Sequence, residues 1–230
     1  MLKKPSTSRN DIVAALGEFV GTFLFLFFSF AGTQIANTGP PSTDAIPLPN
    51  SANLIFIALA FGMSLMANVW AFYRVTGGLF NPVVAIALFL VGGLPPVRTV
   101  VVIVAQFLGG IAAAGVVSAL FPGPMTVATT LGGGASTVQG LFIEMFLTAE
   151  LVFVIIMLAA EKHKATYLAP IGIGVAFFLA ELVARDDTEK LRSEKPFQDK
   201  ESPNPNGDAF HNGATNGHHV TNGRPESSEV

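Results

Sequence analysis

Five apolar runs, each close to the length of a bilayer crossing, constrain this chain more than any other feature. They lie at about 12–32, 53–73, 98–120, 138–160 and 166–184. A spanning helix needs roughly 20 mostly apolar residues, because the hydrocarbon core is about 30 Å thick and each residue rises about 1.5 Å. Backbone amides find no water in lipid, so a chain of this pattern must close its hydrogen bonds within helices. A cleaved leader is the rival reading of the first run. Glu18 and the length of the apolar stretch weigh against it.

Between the second and third runs stands Thr76-Gly77-Gly78-Leu79-Phe80-Asn81-Pro82-Val83-Val84. Asn followed by Pro is a helix start: Asn caps the first free N–H groups and Pro fits the first helical position. The helix it opens, Asn81 to about Leu90, has only about half the length of a crossing. A short helix capped by a polar residue at membrane depth turns its positive dipole end toward whatever lies there. Such backbone is tolerated in a membrane only beside protein or a water-filled path. The expectation is therefore an all-α membrane bundle of about five spans plus one re-entrant half-helix.

Charge is distributed in a way that orders the chain. Six of the thirteen Lys and Arg, and most of the acids, fall in 185–230, whereas 12–184 carries few charges. Three regions follow: an N-terminal tail 1–11, a membrane domain 12–184 and a disordered polar tail 185–230. Lys3, Lys4 and Arg9 precede the first span, Arg74 follows the second, Arg98 opens the third, and Lys162 and Lys164 follow the fourth. The connections 33–52 and 121–137 hold neither Lys nor Arg. With basic loops held inside, the N-terminus is cytoplasmic. Five spans would then leave the tail on the outer side, as if a returning span had been lost.

An internal repeat sharpens that expectation. Glu18 precedes Thr22 by four residues in the first span, and Glu144 precedes Thr148 by four in the fourth, so each pair shares a helix face. An odd number of spans between the two units makes the repeats inverted in the membrane. The same offset carries Asn81 to the neighbourhood of Gly207, where Asn204-Pro205 is embedded in polar residues with no apolar helix after it. That second dipeptide reads as a decoy. Gly17 with Gly21, Gly109 with Ala113, and Gly172 with Ala176 form small-residue pairs that let neighbouring helices approach.

The Glu-x-x-x-Thr repeat, the Gly-Gly-Leu-Phe-Asn-Pro-Val turn and the run from Ala160 through Gly174 together resemble an aquaporin of fungal type, over about residues 10–183. Three departures accompany the resemblance. Asn-Pro-Val stands for the family's Asn-Pro-Ala, while a second Asn-Pro-Ala with its following arginine, and a sixth span, have no match. The resemblance implies an inverted-repeat bundle with a truncated second half. It implies that Asn81 presents amide donors to passing water, that Pro82 starts the half-helix and that Val83 sits near the pore centre. Phe61 and Glu181 would occupy filter positions. Glu18 and Glu144, as buried carboxylates, would accept hydrogen bonds from loop backbone and hold the re-entrant segments.

The implied function is passive passage of water and small neutral solutes, without a cofactor, in the plasma membrane or the vacuole. Partners would be the lipid bilayer and copies of the chain or intact family members in a tetramer. The competing expectation is a non-conducting remnant that at most associates with intact channels. No cysteine is present, so thiol and disulfide chemistry are excluded. No phosphate-binding loop, His-Glu-x-x-His or nucleophile–base pair points to an enzyme, and no extended basic patch suits nucleic acid.

Overall fold

The computed structural model describes residues 8–37, 51–128, 136–161, 164 and 166–190. These belong to one compact unit. Within the first unit, helices α1 (Ser8–Asn37), α2 (Ser51–Phe72), α3 (Pro82–Leu90), α4 (Pro96–Leu120), α5 (Thr137–Ile155) and α6 (Ala169–Lys190) follow one another. Among the described residues, five segments are long and apolar enough to cross a membrane, and α3, with nine residues, is not. At 1.5 Å per residue α3 reaches about 14 Å, roughly half the hydrocarbon core.

Local chemistry explains the helix boundaries. Asn81 caps α3 and Pro82 occupies its first turn. Pro95 and Pro96 open α4, where a missing N–H is no loss. Ser136 and Gln139 satisfy each other's backbone amides in a capping box at the start of α5. The last turn of α5 widens into a π-helix, Ile156–Ala160, and a 3-10 turn, Thr166–Leu168, leads into α6.

Two helices run beyond the apolar spans read from the sequence. Helix α1 already includes Ser8 to Asp11, residues of the expected tail 1–11, and Asp11 is buried in an ion pair with Arg98 of α4 at 3.0 Å. Helix α6 runs through Lys190, past the expected boundary at 184. The sequence from Arg185 to Lys190 holds no Gly or Pro to stop it. The Asn204-Pro205 pair and the rest of the polar tail lie outside the described residues.

Helix α1 packs most extensively on α4 and also on α2; α2 packs on α6, α5 on α6, and α3 against α4 and α5. Small residues set these approaches. A Cβ on Gly109 of α4 would stand 2.6 Å from the Phe19 carbonyl oxygen of α1, so only glycine permits this separation. Lipid supplies no hydrophobic drive between helices, and close backbone contact with internal hydrogen bonding takes its place. Ser64 Oγ of α2 accordingly donates to the Phe25 carbonyl of α1 at 2.8 Å, both buried.

Gly17 and Gly21 act differently from the expected helix–helix pair. A Cβ at Gly17 would collide with Thr76, and one at Gly21 with the Phe80 ring. The groove on α1 receives the turn that precedes α3.

Candidate functional site

The turn at 76–81 doubles back sharply. Gly77 and Gly78 take φ values of 103° and 66°, open to glycine without steric cost. At Gly78 a side chain would also press on Val69, 3.1 Å from its Cα. Phe80 adopts φ 50° despite its side chain, a conformation costing about 1–2 kcal/mol. The surroundings hold it there. Its ring is buried over Gly21 and meets Phe72 edge-on at 5.8 Å.

Glu18 supplies the second restraint. Its side chain is fully buried; Oε1 accepts from the Leu79 amide at 3.1 Å and Oε2 from the Phe80 amide at 2.9 Å. Gln106 Nε2, from α4, donates to the same Oε2 at 2.8 Å. Two backbone donors that no helix could satisfy are thus paired at membrane depth, where an unpaired amide is costly.

Asn81 follows in extended conformation, φ −145° and ψ 123°, and its Oδ1 accepts from the Val83 amide at 2.9 Å. With the oxygen engaged in capping, the NH2 group is the end of the side chain left to donate. Asn81 lines a cavity of about 20 Å³ together with Phe25, Phe80, Val84, Leu151 and Phe177. A second cavity of about 20 Å³ is bounded by Tyr73, Gly77, Ala159 and Ala160. Gly78, Leu79, Val84, Ile155 and Ile173 line both. Each space suffices for one water.

The other expected residues fall elsewhere. Pro82 is half-buried in the first turn of α3. Val83 is 46% exposed and lines neither cavity, whereas Val84 is buried and lines both. One helical step of about 100° separates the two side chains, so only one can face inward. Phe61 is buried, but it lies behind the cavity, edge-on to Phe25 and Phe177, which line it. Glu181 is half-buried on α6 and lines neither cavity.

Glu144 requires a correction. The repeat places it as a second buried carboxylate, yet it is exposed on α5, as is Glu150. The physical reason is packing: α1 is covered by α4, α2 and the turn, while α5 meets mainly α6 and touches α3 lightly. Sequence reading also missed Phe25, Phe177 and Tyr73, which carry no motif, and Gln106, a lone amide in an apolar helix.

A half-helix capped by Asn81 and held by Glu18 beside two water-sized cavities, within a bundle of apolar helices, is the arrangement to set beside known membrane proteins. The model of the major intrinsic protein family matches residues 5–189. Aquaporin-7 of Botryotinia fuckeliana (strain B05.10) is 59% identical over 178 residues, 76% of this chain and 39% of that protein. Aquaporin-1 of Gibberella zeae is 49% identical over 187 residues, 80% of this chain and 58% of that protein. The X-ray structure of the aquaglyceroporin from Plasmodium falciparum superposes with a TM-score of 0.63 at 20% identity, covering 80% of this chain and 81% of that one, which speaks to the fold alone. The chain belongs to the major intrinsic protein family and is an integral, multi-pass membrane protein. It spans between about a third and three-fifths of the length of the curated relatives it matches.

Proposed function

We propose that this chain forms the path of a passive channel for water and small neutral solutes. The observation that carries the reading is Asn81. Its carboxamide oxygen is occupied by the cap, and its side chain lines a space sized for single waters beside the N-terminus of α3. Donors fixed at that point would orient a passing water by its oxygen, and the helix dipole adds a positive barrier to cations. The apolar remainder of the wall, Phe25, Val84, Leu151 and Phe177, offers few competing hydrogen bonds. The names of the relatives support the same activity.

Within this reading, Glu18 holds the turn, Pro82 starts the half-helix, and Phe61 backs the cavity wall through Phe25 and Phe177. Val83 and Glu181 border the path beyond the two cavities. Basic residues on alternate connections support a cytoplasmic N-terminus. The plasma membrane or the vacuole would house the protein, as a tetramer of this chain or with longer relatives.

A second reading, a non-conducting family member, is favoured by one observation: the Glu144 face of α5 is open rather than packed. Stopped-flow swelling of liposomes containing the purified chain separates the two. Osmotic flux above empty liposomes, reduced by Asn81→Leu, establishes conduction. Flux equal to empty liposomes overturns it and leaves the second reading.

A further inference from the structure

Among the described residues, the Glu18 carboxylate has three donors, and two of them belong to the very turn it restrains. The third, Gln106, stands on the helical scaffold. We propose that Gln106 is a positioning residue for the re-entrant turn: from α4 it fixes the plane of the Glu18 carboxylate, and so the place of Leu79, Phe80 and Asn81. In its bearing on conduction this inference rests on the reading of Asn81 given above.

The argument begins with the freedom of a glutamate. Its last torsion is broad, so the two oxygens are not directed by rotamer preference alone. Holding one oxygen on the Leu79 amide and the other on the Phe80 amide requires that plane to be fixed. The two backbone donors lie on the turn that the carboxylate helps to hold, with Phe80 at φ 50°, so a donor on a separate helix gives that plane an independent reference. The Gln106 bond to Oε2, at 2.8 Å, is the shortest of the three.

The state of the amide's other end is an independent observation. Gln106 is 2% exposed, and its Oε1 is buried with no hydrogen-bond partner. A carboxylate accepts only, so the amide must turn its nitrogen to Glu18, and the buried oxygen goes unpaired as a consequence. The side chain thus forgoes one hydrogen bond to keep the other, which a group acting only as filler would not do. Gly109, one turn farther along α4, makes the contact possible. Its missing side chain lets α4 approach the backbone of Phe19 and Phe23, bringing Gln106 within reach of Glu18.

Site-resolved amide hydrogen exchange on the full chain in nanodiscs tests the assignment without reference to flux. Gln106→Met preserves bulk and removes the donor. It is expected to accelerate exchange at Leu79 and Phe80 by about tenfold relative to the interior amides of α1 and α4. Where the methionine variant does not accumulate, Gln106→Asn, too short to reach Glu18, replaces it with the same expected result. Unchanged exchange at Leu79 and Phe80 in the donor-deficient variant, or an equal rise along all helices, overturns the proposal. Since no outcome depends on conduction, failure of the channel reading and failure of this one are distinguishable.

Discussion

Gly62 and Gly174 meet face to face where α2 crosses α6: a Cβ on Gly62 would stand 2.7 Å from the Gly174 carbonyl oxygen, and one on Gly174 would stand 2.8 Å from the Gly62 carbonyl oxygen. The contact is backbone to backbone, so no side-chain rotation could relieve an added methyl group. Gly62→Val should therefore part the helices and destabilise the fold by about 1–3 kcal/mol, the usual range for overpacking. Thermal unfolding in detergent measures the loss; an unchanged midpoint would show that the crossing is looser than described.

Removing the carboxylate should be more damaging than removing the cap. Glu18→Ala strands the Leu79 and Phe80 amides and the Gln106 amide, each buried donor costing about 1–3 kcal/mol. Asn81→Ala forfeits a single bond to the Val83 amide, about 1 kcal/mol. Folded yield and unfolding midpoint should rank Glu18→Ala well below Asn81→Ala, and the reverse order would sink this account of the turn.

The two repeat carboxylates should part company under one substitution. Glu18→Gln disturbs a fully buried, fully bonded group, whereas Glu144→Gln alters an exposed one. The latter is expected to stay within about ±0.5 kcal/mol of the parent chain. Comparable losses at both sites, read from equilibrium unfolding, would mean that Glu144 is also buried.

Gly21 and Phe80 should be coupled. Gly21→Ala drives a methyl group into the Phe80 ring, but the clash vanishes once that ring is removed. In a double-mutant cycle, Gly21→Ala should therefore cost less in the Phe80→Ala background than in the parent, with an interaction energy of about 0.5–3 kcal/mol. Strict additivity would show that the two do not touch.

How far the sequence can be read depends on how local the determinant is. Hydropathy locates all five long helices among the described residues and delimits α2, α4 and α5 with its π-helical turn closely, since crossing length is a property of composition, whereas α1 and α6 run beyond their apolar spans. Asn81 and Pro82 mark the start of α3 because capping and a fixed φ act within one turn. Glu18 stands out as an ionisable group in an apolar run, and the structure sets it against the turn 61 residues away. By contrast, Val83 and Val84 are chemically identical, and only the phase of α3 makes one exposed and the other cavity-lining.

From its amino acids alone this protein was bound to be a bundle of membrane helices with one half-length, capped member, because lipid forbids unpaired backbone and a nine-residue apolar helix cannot cross it. Which carboxylate is buried, which phenylalanines wall the cavity and which amide steadies the turn were decided only in three dimensions. Twenty Phe residues offer equal apolar surface, and Glu18 and Glu144 share one motif. What separates them is which neighbours cover them, and that is a property of the packed helices rather than of any single segment.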